Sequence, residues 1–189
     1  VGSGAFMKTL EEARRLADEL TRVGAALGRS VECRLTDMDQ PLGMAVGNAI
    51  EVAEAVDTLH GRGPQALHEL CMAFGARMLV LGKAACDADS ARAMLEDAIS
   101  SGAAADRMRS WIAAQGGDPA VVDDPARLPL SPCMRAIRSP SGGWVTGFDA
   151  EGVGRAAMLT GAGRQRTDDV IDPGAGIRLA VRAGDRVEA

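Results

Sequence analysis

One segment near the start of the chain constrains the fold more than any other. Residues 10–27 place apolar side chains at every third or fourth position. Thr9 and Glu12 form a capping box ahead of them, in which each side chain bonds a free amide of the first helical turn. Gly28 follows, as is common where a helix ends. The pattern predicts an amphipathic helix over 10–27, whose apolar side must pack against other parts of the fold.

The next segment, SVECRL at 30–35, is short and led by a β-branched residue, which predicts a buried strand. A helix followed by a strand indicates an α/β unit. Four further helices are predicted from apolar periodicity and from caps or breakers at their ends. They cover residues 48–59, with Asn48 as the cap, residues 64–81, residues 89–99, with Asp89 or Ser90 as the cap, and residues 108–114.

The character of the sequence changes after residue 118. Residues 119–128 lie in a proline-rich stretch without apolar periodicity, which predicts a linker. Beyond it, CMRAIRS, GGWVTGFD and GIRLAVRAGDRV alternate like short strands, with one short helix near 151–160. We therefore predict a small α+β domain over 129–189.

Composition excludes several classes of partner. The net charge is −5, only five aromatic residues are present (three Phe and two Trp), and no basic stripe occurs, so we expect no nucleic-acid binding. No apolar run approaches the ~20 residues of a membrane helix, so no membrane association is expected. The four scattered cysteines predict reduced thiols in the core of a cytoplasmic protein. His68 and Cys71 share one helix face, but two ligands do not make a zinc site.

The segment TDMDQPLGMAVGNAIEVAEAV at 36–56 leads from polar residues into a helix. Pro41, Gly43 and Gly47 prevent regular structure before Asn48, so backbone carbonyls there lack helical partners. Glu54 follows about two turns into the helix. Carbonyl and carboxylate oxygens together can replace the hydration shell of a hard cation. Residue types alone leave two alternatives open for Glu54, a cation ligand or a solvated side chain.

Three other patterns have ordinary explanations beside functional ones. The glycine-rich stretches at 2–6 and 161–164 lack the full pattern of a phosphate-binding loop, and a turn is the alternative. Asp168, Asp169 and Asp172 could form an acid/base pair, or they could be exposed turn residues. Nothing forms a Ser-His-Asp set.

Taken in order, VGSGAFM, the 36–56 segment, AAQGGD at 113–118 and GAGRQRTDDVID at 161–172 resemble the pyrimidine nucleoside phosphorylase and thymidine phosphorylase family. The resemblance implies an α/β fold: residues 1–118 as part of a large mixed α/β domain with helices flanking a sheet, a linker at 119–128, and a small C-terminal α+β domain at 129–189. It also implies a homodimer that carries out phosphorolysis of thymidine or uridine with inorganic phosphate.

The resemblance covers the C-terminal portion of the family, and we expect the phosphate-binding and base-binding residues in the portion before VGSGAFM. No catalytic residue is therefore assigned here. In potassium-binding members, matching positions supply two carbonyls and one carboxylate, which implies Leu42, Ala45 and Glu54 as potassium ligands. Two alternatives stay open. One is a catalytically incomplete chain acting as a structural or interaction module, and the other is a relative that cleaves nucleoside monophosphates.

Overall fold

The computed structural model describes residues 1–189, and its fold is mixed α/β, as predicted. It has six α-helices and four short strands. The helices are α1 (Leu10–Ala26), α2 (Ala49–Leu59), α3 (Gln65–Leu81), α4 (Ala88–Ser100), α5 (Ala103–Ala114) and α6 (Ala150–Ala157). The strands are β1 (Ala45–Gly47), β2 (Gly143–Trp144), β3 (Gly176–Arg178) and β4 (Arg186–Val187). No helix is both long and apolar enough to span a membrane.

The chain forms two compact units, and neither is continuous in sequence. The first unit comprises Val1–Leu42, Arg135–Ala156 and Leu179–Ala189. The second comprises Gly43–Met134 and Ala157–Arg178. The division into 1–118, 119–128 and 129–189 stays a prediction.

In the first unit, α1 begins and ends close to the predicted positions. Thr9 Oγ1 accepts the amide of Glu12 at 3.3 Å, and the Glu12 carboxylate accepts the amide of Thr9 at 3.1 Å, so both halves of the capping box are present. The hydrogen bonds that the Glu12 carboxylate accepts from the Thr9 amide and hydroxyl lower the pKa of Glu12. Gly28 adopts a positive φ of 68° just beyond the helix. The apolar side of α1 remains largely exposed to solvent, and Leu20 on this helix is 51% exposed.

The predicted strand at 30–35 is wrong. Neither sheet includes these residues, and their side chains are exposed. A strand exists through its partner, and this segment has none in the chain, so extended backbone alone does not make it one. The sheet of this unit instead pairs β2 with β4, antiparallel, with Gly143 opposite Val187 and Trp144 opposite Arg186. The stretch CMRAIRS at 133–139 is likewise not a strand.

In the second unit, α3 and α4 pack closely along their lengths. Gly75 permits this approach, since a Cβ there would lie 2.8 Å from Leu95 Cδ1. The cap of α4 is Asp87, not Asp89 or Ser90, because its carboxylate accepts the Ser90 amide at 2.8 Å. Helix α5 begins at Ala103, five residues earlier than predicted, after Gly102 with a φ of 82°.

The core of the second unit includes part of the proline-rich segment. Val56 and Val122 are fully buried, and Ala105 and Val121 complete the same apolar cluster. Residues 119–128 form two short 3-10 turns. The carboxylates of Asp118 and Asp124 cap them by accepting the amides of Ala120 and Ala126, and the first turn contains the buried Val121 and Val122. The segment is therefore packed structure.

Two ion pairs secure these turns from outside. Arg109 Nε donates to Asp123 at 3.0 Å, and Arg127 donates both Nε and Nη2 to Asp118, at 2.9 and 2.8 Å. The hydrogen bond from Arg109 holds the pKa of Asp123 below its ordinary value of 3.8. The pKa of Asp118 is lowered first by the Ala120 amide and then by Arg127.

The Asp123 pair predicts a pH dependence of stability. Because the folded pKa is depressed, the stabilisation is present above 3.8 and is lost as the pH falls through the folded pKa. We expect Asp123→Asn to lower the midpoint of thermal unfolding at neutral pH and to reduce its further fall in acid. Calorimetry across this pH range measures both. Asp168→Asn removes an exposed aspartate without an ion pair, and its unfolding midpoint should fall in acid as steeply as that of the wild type. An equally steep fall in Asp123→Asn would contradict a stabilising part for the Asp123–Arg109 pair.

The cysteines differ from the prediction in one respect. All four are free thiols, yet all are exposed instead of lying in the core. Cys33 is exposed because its segment, 30–35, is not covered by a partner strand. His68 and Cys71 gain no third ligand, since no group of three His, Cys, Asp or Glu side chains comes together anywhere in the chain.

Candidate functional site

The carboxylate of Glu54 turns back toward the loop that precedes its helix. Its Oε1 accepts the amide of Met44 at 2.8 Å, and the residue is half-buried. Side chains on a helix lean toward its N-terminus, so Glu54, in the second turn of α2, reaches the loop before Ala49. Gly43 leaves room for it, because a Cβ at this position would lie 1.9 Å from Glu54 Oε2. The Glu54 carboxylate is therefore directed at the loop, and its part as a cation ligand stays a prediction.

Ala45 opens strand β1, which pairs antiparallel with β3 so that Ala45 faces Arg178. Close packing of glycines sets this pairing, since a Cβ on Gly47 would lie 2.7 Å from the carbonyl oxygen of Ala175. The amide of Gly47 donates to Glu51 Oε1 at 2.7 Å. The two glutamates of α2 thus both bond amides of the preceding loop, and they fix its path on either side of Ala45.

The motif GAGRQRTDDVID at 161–172 lies against the start of α2. Asn48 does not cap its own helix with its side chain, but donates Nδ2 to the carbonyl of Ala162 at 2.7 Å. The Ala49 amide donates to the carbonyl of Pro173 at 2.9 Å. Two motifs of the resemblance therefore meet within the second unit, joined at a helix start that sequence reasoning had assigned to a local cap.

Two of the three aspartates of this motif bond nearby backbone amides. Asp169 Oδ2 accepts the amides of Gln165 and Arg166, both at 2.9 Å, and Asp172 Oδ1 accepts the amide of Gly174 at 2.8 Å. These contacts stabilise turns. The arrangement supports the turn explanation for these carboxylates and not an acid/base pair.

In the first unit, the carbonyls of Pro41 and Leu42 both face one guanidinium. Arg182 Nη1 donates to Leu42 O at 3.0 Å and Nη2 donates to Pro41 O at 3.3 Å. The Ala183 amide donates to Gln40 Oε1 at 3.3 Å. Sequence reasoning missed Arg182 because nothing local connects it to a loop 140 positions earlier.

The first motif, VGSGAFM, lies beside the polar residues that open the 36–56 segment. The Val1 amino group donates to Thr36 O at 2.8 Å, and the Met38 amide donates to Val1 O at 2.7 Å. The Ser3 amide donates to Asp39 Oδ1 at 2.7 Å. Gly2, with a φ of 126°, is required here because a Cβ would lie 2.6 Å from the same carboxylate oxygen. This glycine-rich stretch therefore forms a turn bonded to Asp39.

The ligand set of Leu42, Ala45 and Glu54 stays a prediction, and its donor types are two carbonyls and one carboxylate. Glu54 keeps carboxylate lone pairs beyond the one that accepts Met44, and the Leu42 carbonyl has a second lone pair beside the one directed at Arg182. Carbonyl and carboxylate oxygens are the donors that replace water around such ions. Ala45 and Glu54 belong to the second unit and Leu42 ends a segment of the first, one residue before Gly43.

Two family models match the chain. The a/b domain of a glycosyl transferase family matches residues 1–105, and the pyrimidine nucleoside phosphorylase C-terminal domain matches residues 144–189. The first model alone covers more than half of the chain.

Curated relatives match over almost the whole chain. The pyrimidine-nucleoside phosphorylases of Bacillus subtilis strain 168 and Staphylococcus aureus strain USA300 are each 46% identical to it over 187 residues, and that of Staphylococcus epidermidis strain ATCC 12228 is 44% identical. These matches cover 99% of the chain and 43% of each relative's length, so the chain spans less than half of the relatives. The chain belongs to the glycosyl transferase family whose a/b domain matches residues 1–105, and within it to the pyrimidine nucleoside phosphorylases.

Proposed function

We propose that this chain contributes to pyrimidine nucleoside phosphorolysis as part of a full-length subunit. Inorganic phosphate displaces the base at the anomeric carbon of thymidine or uridine, and the products are the free base and a pentose 1-phosphate. The observation that carries the proposal is the 46% identity to a named phosphorylase over 187 residues, which make up 99% of this chain. The homodimer implied by the resemblance is part of the proposal.

The chemistry requires an anionic phosphate to approach an oxocarbenium-like carbon while the departing base is supported. Enzymes achieve this by positioning and by fixed charge. We assign no catalytic residue to this chain. This chain contributes the loop between Pro41 and Asn48, in which the Met44 amide donates to Glu54.

Potassium is the proposed ion of this loop. The carbonyls of Leu42 and Ala45 and the carboxylate of Glu54 would hold it, and when bound the ion would supply a fixed positive charge at this loop. Glu54 also accepts the Met44 amide, at a position that Gly43 leaves open.

The activity is tested with a chimeric subunit. The 189-residue chain would be joined to the preceding portion of the Bacillus subtilis relative, whose remaining length this chain does not match. We expect release of uracil or thymine from the nucleosides that depends on added phosphate, and no release by the chain alone. Absorbance of the free base measures it.

Two results would contradict the proposal. A correctly folded, dimeric chimera without phosphate-dependent release would favour the structural or interaction module. Release from uridine or thymidine 5′-monophosphate in preference to the nucleosides would favour the nucleotide-cleaving relative. The intact Bacillus subtilis relative, which carries its own C-terminal portion, serves as the positive control.

A further inference from the structure

Arg182 lies outside the predicted ligand set and contacts one of its members directly. Its guanidinium donates to two consecutive carbonyls, Leu42 O at 3.0 Å and Pro41 O at 3.3 Å. Leu42 supplies one of the carbonyls assigned to potassium. Arg182 is half-buried, so its side chain is partly shielded from water as it makes these contacts.

The backbone around Arg182 is itself anchored. The Arg182 amide donates to Asp185 Oδ2 at 2.7 Å, and the Asp185 amide donates back to Arg182 O at 3.1 Å, which closes a tight turn. The carbonyl of Asp185 accepts the Val145 amide at 2.9 Å, and β4 follows immediately in its pairing with β2. The guanidinium is therefore carried by a turn fixed to a sheet, and its position does not depend on the loop it contacts.

The loop that receives these bonds lacks a structure of its own. Residues 40–43 belong to no helix or strand, and Pro41 has no amide to donate. Carbonyls in such a segment point wherever the backbone dihedrals place them, and Gly43 widens that choice. A planar guanidinium fixes two acceptors at once, because its donors form a rigid fork. The Ala183 amide adds a third contact, to Gln40 Oε1.

We propose that Arg182 is a positioning residue that fixes the carbonyls of Pro41 and Leu42 and thereby sets the affinity of the loop for potassium. The fixing of the two carbonyls follows from the hydrogen bonds of Arg182, and the effect on potassium affinity rests on the proposed function. The guanidinium uses one lone pair of the Leu42 oxygen and leaves the other for the ion. Arg182 orders the carbonyl without replacing the ion.

The test compares three variants of the 189-residue chain. Arg182→Gln removes the fork, and Arg182→Lys keeps the charge but offers a point donor that serves one carbonyl at a time. Arg138→Gln is the matched control, since Arg138 lies in the same unit, is exposed and makes no ion pair. Hydrogen–deuterium exchange of residues 38–44 without potassium reports the order of the loop. Thermal unfolding in potassium chloride, against choline chloride at equal ionic strength, reports ion binding.

We expect exchange of residues 38–44 to be at least about fivefold faster in Arg182→Gln than in Arg138→Gln, because two charge-assisted hydrogen bonds that order the segment are lost. The potassium concentration for half-maximal stabilisation should rise by a similar factor in Arg182→Gln. In both measurements, Arg182→Lys should give values between those of Arg182→Gln and Arg138→Gln. Rescue by lysine of part of the potassium response separates positioning from a general loss of stability.

Other outcomes overturn the inference or the proposed ion separately. Unchanged exchange in Arg182→Gln would show that the guanidinium does not fix the loop. Tighter potassium binding in that variant would show that Arg182 competes with the ion, which overturns positioning. If wild-type chain gives no potassium response, the proposed ion fails, and the exchange data alone then decide whether Arg182 orders the carbonyls.

Discussion

Val122→Asp is expected to reduce the free energy of unfolding by about 3 to 5 kcal/mol, since it places an unpaired carboxylate in an apolar core. Val122 is fully buried with Val56, Ala105 and Val121. Urea unfolding followed by circular dichroism measures the loss. Val122→Ala, which removes only methyl groups, should cost about 2 kcal/mol and keeps the measurement possible if the aspartate variant does not fold.

The control for this prediction is an exposed valine. Val170 is 92% exposed, so Val170→Asp adds the same charge and should change the free energy of unfolding by less than about 0.5 kcal/mol. If Val122→Asp were equally harmless, residues 119–128 would be a detached linker in solution and the packed 3-10 turns would be wrong.

Gly43→Ala should abolish most of the potassium response while leaving the fold stable. The new Cβ would lie 1.9 Å from Glu54 Oε2 and 2.9 Å from Glu54 Cδ. The carboxylate is the free end of a flexible side chain, so it can swing away at little cost in stability. Its bond to the Met44 amide and its place as an ion ligand are lost together. We expect potassium affinity to fall by about tenfold or more, which corresponds to about 1.4 kcal/mol.

Two measurements check this prediction. Thermal unfolding in potassium chloride and in choline chloride gives the ion response, and amide exchange at Met44 reports the Glu54 bond even without the ion. Gly147→Ala is the matched control, because a Cβ there meets nothing within 4 Å. Retained protection of the Met44 amide in Gly43→Ala would show that the carboxylate was never seated at the loop.

Local signals in the sequence predicted the helices, and nonlocal contacts explain most of what they missed. The capping box at Thr9 and the breakers around Pro64 act within one or two turns, so α1 and α3 begin where the sequence indicates. The segment at 30–35 failed because a strand needs a partner, which no local pattern guarantees. Pro119 and Pro125 suggested a linker over 119–128, and each opens a 3-10 turn, a position for which proline is equally suited.

In the candidate site, too, local signals indicated some features and contacts distant in sequence were missed. Glu54 was identified by the resemblance, and its direction toward the loop follows from helix geometry alone. Leu42 was identified without its partner, because Arg182 meets it across 140 positions. The part of Asn48 was also misjudged: a residue suited to cap its own helix donates instead to Ala162, 114 positions away. Such pairings depend on the whole fold and leave no trace in spacing.

The interleaving of the two units has a consequence for how the protein forms during synthesis. The second unit needs β3 to pair with β1, so residues 45–47 must wait until residues 176–178 have left the ribosome. The first unit needs Leu179–Ala189 in the same way. Neither can be completed early, because contacts distant in sequence close last and slow folding. The nascent chain would therefore carry two unfinished units for most of its translation.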